Sequence, residues 1–211
     1  MKKDEKIKTL PGFEHINHYW DPTRKVYAAK ILPGQFYVSN QSEIIVTTLG
    51  SCISACIRDE AKQVGGMNHF MLPISKNSDF KPGNVGADDS SHRYGNFAME
   101  ALINEILKFG GRKSSLEVKV FGGGKILSNM SDIGKSNIEF VKEFLNTENL
   151  KIISSDVGNV WPRKVAYYPL TGKVMVKRIK SLKNNSLVNA EKQYISSLEH
   201  TPVTGDIELF D

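Results

Sequence analysis

No apolar run in these 211 residues approaches the roughly 18 consecutive positions that a membrane-spanning helix needs, so no membrane insertion is expected. The start, Met1-Lys2-Lys3-Asp4-Glu5-Lys6, is charged and no apolar stretch follows it, so a secretory leader is not expected and the cytoplasm is. Cysteine is scarce: Cys52 and Cys56 are too few for a disulfide framework. On an extended segment their Cα atoms would stand roughly 13 Å apart at about 3.3 Å per residue, beyond the ~7 Å that a disulfide bridges. Two free thiols are therefore expected. Zinc-like spacing is missing among these cysteines and His15, His18, His69, His92 and His200. Phe121-Gly122-Gly123-Gly124-Lys125 lacks the spacing of a phosphate loop, and close backbone packing or a turn is the plainer expectation for it. Neither a metal nor an organic cofactor is expected. No internal repeat is present.

Charge of one sign is in mild excess. The net charge of +5 and pI near 9.1 would suit an acidic partner. The basic residues are spread out, with slight concentrations in residues 2–30 and 173–183, and no nucleic-acid-binding motif organises them. A solvated surface explains that distribution, and nucleic acid is not an expected partner.

What is there is a β-rich pattern with helices in the middle. Residues 1–26 read as a polar N-terminal extension, whose Tyr19-Trp20 pair could dock on the remainder. Extended segments are predicted at Gln35–Ser39, Glu43–Thr48, Cys52–Arg58 and Val64–Leu72, the second rich in β-branched residues. Residues 73–92 form a polar connection longer than most loops of compact domains, and a lid is the functional possibility for it. Arg93–Phe109 is a predicted helix with Tyr94, Phe97, Ala98, Ala101, Leu102, Ile106 and Phe109 at helical spacing. Met99, Ile103 and Leu107 give it a second apolar stripe, and Gly110-Gly111 ends it. A strand at Leu116–Phe121 enters the glycine run, and a second helix begins near Ser131-Asp132, turning Ile138, Val141, Phe144 and Leu145 inward. Strands follow at Lys151–Asp156, Lys164–Tyr168 and Lys173–Ile179. This order favours a single-domain α/β sandwich of β-sheets with flanking helices over a doubly wound sheet. The domain is expected to span 27–179, and 180–211 to be a polar tail without a core of its own.

Cys52 follows Leu49-Gly50-Ser51, where glycine permits a sharp turn and leaves backbone N–H groups near the sulfur. Such a place can hold a thiolate and receive an oxyanion, with the amides near Ser51 and Cys52 as donors. Cys56, between Ala55 and Ile57, reads as a small core residue. His69 shares a strand face with Met67 and Met71, where partial desolvation would keep the imidazole neutral enough to act as a base. Its strand and that of Cys52 are joined by a short connection, so pairing would bring the two side chains within reach. Thr47 and Thr48, before the turn, are placed to orient the imidazole, whereas alternation sends Asn68 to the other face. Asp156-Val157-Gly158 and Trp161-Pro162-Arg163 read as a loop edge to which the residues alone assign no role.

An ordered set of segments resembles one family. Leu49-Gly50-Ser51-Cys52, Gly65-Gly66-Met67-Asn68-His69-Phe70-Met71-Leu72-Pro73, Arg93-Tyr94-Gly95-Asn96-Phe97-Ala98-Met99-Glu100 and Lys119-Val120-Phe121-Gly122-Gly123-Gly124 look like the signature of CheD, the chemoreceptor glutamine deamidases. Ile133-Gly134, Asp156-Val157-Gly158 and Pro162-Arg163-Lys164-Val165 extend the likeness over roughly 27–179. The resemblance implies an α/β sandwich related to cytotoxic deamidase toxins of the necrotizing-factor type, with Cys52 as nucleophile and His69 as base. It also implies a catalytic threonine just before the glycine turn. Thr47 is taken for it, with Thr48 as the other register and Val46 at the position a further alignment would give. Glutamines on the cytoplasmic helices of methyl-accepting chemoreceptors would be the substrate, in a shallow open cleft, and a CheC-type phosphatase a possible further partner. Methylesterase action on receptor glutamyl esters would use the same thiol. A binding module without catalysis is the rival of a different class, separable by ammonia release.

Overall fold

The computed structural model describes residues 7–72, 90–126, 133–180 and 186–200. Its strands begin with β1 (Asn17–Asp21), β2 (Val26–Lys30), β3 (Phe36–Ser39), β4 (Glu43–Leu49), β5 (Ile53–Asp59) and β6 (Val64–Asn68). After helix α1 (Ser90–Lys108) come β7 (Leu116–Gly122), helix α2 (Ile133–Thr147), β8 (Ile152–Val157), β9 (Arg163–Tyr167), β10 (Val174–Arg178) and helix α3 (Ser186–His200). All the strands and helices predicted between Gln35 and Ile179 are present, with ends shifted by a few residues. The connection at 73–92 lies outside the described residues up to Ser90, where α1 begins.

The strands form two five-stranded mixed sheets, β1-β2-β4-β9-β10 and β3-β6-β5-β7-β8. In the first, β2 and β4 run parallel; in the second, β7 and β8 do. The sheets face each other, as the Tyr167 hydroxyl of β9 shows by donating to the Ile57 carbonyl of β5 at 3.2 Å. Helices α1 and α2 cover the outer face of the second sheet. Central β5 is thus covered on both faces, which is why all seven of its residues are buried, the polar Ser54, Arg58 and Asp59 among them. Edge strand β10 has one covered face and shows the alternation.

Three findings differ from the sequence expectation. Residues 17–21, read as part of an extension, pair with Val26–Lys30 and form the edge of the first sheet; Trp20 packs edge-on against Tyr27 at 5.2 Å. On α1 the buried face draws on both apolar stripes, Leu102 and Ile106 from the first and Met99 and Ile103 from the second, while Phe97 of the first is 66% exposed. The sheet takes the face that begins at Gly95, where the missing side chain makes room for Phe140 and Leu72. Beyond Lys180, where no element was expected, α3 docks on the body of the protein. None of the helices is long and apolar enough to cross a membrane, among the described residues.

Candidate active site

The chain leaves β4 in one sheet, turns through Gly50-Ser51-Cys52 and enters β5 in the other. All three carbonyls of that turn are tied. Gly124 N–H donates to Gly50 O at 2.6 Å, Asn137 Nδ2 to Ser51 O at 2.8 Å, and Gly123 N–H to Cys52 O at 2.7 Å. With the carbonyls held, the amides of the turn are left for another partner.

The glycine run is therefore a clamp on the turn and not a phosphate cradle. Gly122 and Gly123 have φ of +116° and +65°, and a Cβ on Gly122 would come within 3.0 Å of Ile53 Cα. Arg163 holds the run from behind. Its guanidinium is fully buried, donates to the carbonyls of Gly122 and Gly158, and lies 3.6 Å from Asp156. Asp156 is also bound by Arg178 at 3.1 Å. The segments that read as a loop edge in the sequence thus position the turn. Asn137 does the same from α2, since its Oδ1 accepts from Leu72 N–H at 2.8 Å while its Nδ2 holds Ser51.

His69 follows β6, and a bridge between Ile53 and Phe70 continues the β5–β6 pairing past it. In that register Ser54 lies opposite His69 and Met71 opposite Cys52, so all four share the face turned toward the first sheet. Cys52 and His69 are diagonal neighbours, a relation whose Cα separation is about 7–8 Å and within reach of long side chains. Asn68 goes to the opposite face as expected, donating to Ala98 O of α1 at 3.0 Å.

His69 meets Thr47 across the two sheets. Thr47 Oγ1 lies 2.9 Å from Ile31 O, to which it donates, and 2.7 Å from His69 Nδ1. A hydroxyl has one proton. With that proton committed to Ile31, Thr47 must accept from His69 Nδ1–H, which leaves Nε2 as the unprotonated nitrogen. Nε2 is buried and has no hydrogen-bond partner among the described residues. Burial alone pushes this imidazole down to about 3, so the ring is neutral. Thr48 is half-buried and pairs with Lys164 in the sheet, away from this contact.

Cys52 and Cys56 are both free and buried. Burial pushes the Cys52 thiol well up, and the Glu191 carboxylate, by charge and hydrogen bond, pushes it further. The thiolate expected from the sequence is thus not the form held here: apolar surroundings and a nearby anion both disfavour it. Nor is the site an open cleft, since Cys52 is fully buried and His69 is 3% exposed.

Glu191 of α3 was not foreseen. Its Oε1 accepts from Gly50 N–H and Ser51 N–H at 3.0 Å each, and its Oε2 from the Ser51 hydroxyl at 2.6 Å. Burial raises this carboxyl group, while the hydrogen bonds of Ser51, Cys52 and Gly50 pull the other way. Leu187, Glu191, Tyr194, Ile195 and Leu198 recur at helical spacing, so an amphipathic face with a carboxylate at its centre was legible, but the polar segment before it hid the helix. Asn137 carried a similar signal, a polar residue on the buried stripe Ile133, Asn137, Phe140, Phe144.

A family model described as CheD chemotactic sensory transduction matches residues 71–178. It begins beyond both Cys52 and His69, whereas matches to whole relatives span them. A protein of Halorhodospira halophila, named "Probable chemoreceptor glutamine deamidase CheD", is 50% identical over 203 residues, covering 95% of this chain and 93% of its own length. One of the same name from Hahella chejuensis is 48% identical over 202 residues, covering 96% and 94%. Another from Janthinobacterium sp. (strain Marseille) is 50% identical over 201 residues, covering 93% and 97%.

Proposed function

The chain belongs to the CheD family, and from that premise we propose that it hydrolyses glutamine side chains on methyl-accepting chemoreceptors to glutamate, with Cys52 as nucleophile and His69 as base. The observation that carries the reading is the neutral imidazole of His69. Its one proton is committed to Thr47 and its Nε2 is unpartnered among the described residues, on the strand face it shares with Cys52.

The chemistry runs from a thiol and a neutral imidazole, not from a preformed ion pair. As sulfur attacks the carboxamide carbon, the Sγ proton passes to His69 Nε2. The carbonyl oxygen takes the negative charge in reach of the Gly50, Ser51 and Cys52 amides. Collapse breaks the C–N bond, and the imidazolium gives its proton to the departing nitrogen, releasing ammonia. Water, losing a proton to His69, then attacks the thioester; the thiolate leaves and is reprotonated, and the side chain is a glutamate. Thr47 keeps the ring in the tautomer that both steps need. A glutamyl methyl ester presents the same carbonyl, so methanol release in the same assay would report any esterase activity.

The test is ammonia release and the mass gain of deamidation on a purified receptor cytoplasmic fragment. Wild type is expected to be active, and Cys52→Ala and His69→Ala to lose the activity while keeping their circular dichroism. Activity surviving in Cys52→Ala would remove the nucleophile assignment. An inert wild type on several receptors would favour a binding module.

A further inference from the structure

Glu191 stands where the substrate would. We infer that α3 is a tethered product mimic, whose Glu191 occupies the glutamine pocket and covers Cys52 until a helix bearing a glutamine displaces it. This rests on the deamidase reading and adds the regulation of that site and the shape of its substrate.

The contacts of Glu191 are those of a product glutamate. Two backbone amides, Gly50 and Ser51, converge on Oε1 at 3.0 Å each, within the 2.7–3.1 Å range of donors that hold an oxyanion. Hydrogen bonding from Cys52 adds to them. The Ser51 hydroxyl meets Oε2 at 2.6 Å. A carboxamide would fit the same atoms. Its oxygen would take the place of Oε1, and its NH2 would donate to Ser51 Oγ, since a hydroxyl accepts as well as donates. Ser51 N–H, now shared with Oε2 at 3.2 Å, would keep its shorter bond.

The rest of α3 shows how a helix lies across the site. Tyr194, one turn on, meets the Tyr94 hydroxyl of α1 at 2.5 Å and packs on Gly34, where an added Cβ would stand 3.2 Å from its oxygen. Ile195 is buried and Leu198 half-buried, while Ala190, Lys192, Gln193, Ser196 and Ser197 are exposed. One narrow face thus docks, around a single buried carboxylate. Holding that charge out of water opposes the docking, as its raised pKa records. A glutamine side chain carries no charge to desolvate. A substrate helix can therefore compete for the pocket, and a freshly formed glutamate would be released as α3 can be.

The first arm of the test is alkylation of the full-length protein by iodoacetamide, with each cysteine followed by peptide mass spectrometry. Cys52 should react slowly in wild type and in Lys192→Ala, and at least about tenfold faster in Glu191→Ala. Cys56, buried on β5, reports any general loosening. Cys52 reacting no faster in Glu191→Ala, with Cys56 still protected, would overturn the inference. This arm needs no receptor, so it stands even if wild type proves inert as a deamidase.

The second arm is Glu191→Gln, which keeps the side-chain shape and decides the matter if Glu191→Ala loosens Cys56 as well. Placed as Glu191 is, the introduced carboxamide should be hydrolysed by its own chain: carboxamide and water yield carboxylate and ammonia. The substituted side chain should revert to glutamate at a rate independent of protein concentration, and not at all when Cys52→Ala is added. A carboxamide that persists at this position, in a folded protein able to deamidate receptor fragments, would overturn the product-mimic inference and leave the deamidase reading intact.

Discussion

Two histidines bridge the same pair of sheets, and their surroundings leave one neutral and favour charge on the other. His69 faces one acceptor, Thr47, at Nδ1 and, among the described residues, no hydrogen-bond partner at Nε2. His18 of β1 faces acceptors at both nitrogens: Ile16 O lies 2.9 Å from Nδ1, and the Tyr37 oxygen 3.2 Å from Nε2. The Tyr37 hydroxyl and Ser39 Oγ donate their protons to Glu43 Oε1, and Glu43 Oε2 stands 3.2 Å from the ring. That last contact is a charge attraction, because its geometry is not that of a hydrogen bond. Burial would lower His18, but the Glu43 carboxylate and the Ile16 carbonyl outweigh it and raise the ring above its ordinary value. Burial without a counter-charge makes a base; burial beside a carboxylate makes a structural cation.

The largest break in this comparison should be in turnover. His69→Ala is expected to lower kcat on a receptor fragment by roughly 10²–10⁴-fold, the usual contribution of a positioned acid–base group. His18→Ala should leave kcat nearly unchanged below its melting temperature. Equal losses in the two variants, both folded, would mean that the division of roles is wrong.

Stability should show the reverse. Glu43→Gln keeps the shape but weakens the bonds from Tyr37 and Ser39 and removes the charge that faces His18, so a loss of about 1.5–3 kcal/mol in urea unfolding is expected, with activity retained. A variant as stable as wild type would show that the cluster carries no net stabilisation.

Thr47→Val sharpens the catalytic half. It leaves His69 Nδ1–H without an acceptor, at about 1–3 kcal/mol, or roughly 5- to 160-fold in rate if that penalty falls on the transition state. Thr47→Ser, which keeps the hydroxyl, should recover most of it. Nitrogen NMR of the ring should show the proton on Nδ1 in wild type and a mixture of tautomers in Thr47→Val.

How much of this was legible follows the range of each signal. The central strands and α1 were, because period and turn residues are local. The proposal of Cys52, His69 and Thr47 also rests on local signals, the glycine turn between β4 and β5 and the alternation along the segment after β6, and the structure brings Thr47 to His69. The edge strand β1 was not legible: Asn17-His18-Tyr19-Trp20-Asp21 has one apolar face and earns its strand by pairing with Val26–Lys30. Arg163, Asn137 and Glu191 were opaque for a different reason. Their roles are hydrogen bonds to backbone groups 41, 86 and 140 residues away, and no local pattern marks the acceptor or donor they will meet. The open cleft failed on the same point, since what closes it is a helix from the far end of the chain.

The prediction that tests the two histidines together is the pH dependence of stability. His69 is pushed down to about 3, from an ordinary value of 6.5. Below pH 6.5 the unfolded chain therefore binds a proton at this ring that the folded chain refuses until about pH 3. Stability must fall on acidification through that window, by about 1.4 kcal/mol per pH unit at most from this group. His18 has the other sign. Its folded pKa is raised, so its contribution is fully present below 6.5 and is lost as pH rises through the folded value. Paired carboxylates add their own acid limb, which cancels when each variant is subtracted from wild type. His69→Gln should flatten the limb between pH 6 and 4 and leave the alkaline side alone. His18→Gln should flatten the side above pH 6.5 and leave the acid limb alone. Difference curves of the same shape for the two variants would mean that the rings share one environment, and that the neutral base and the structural cation are not distinct.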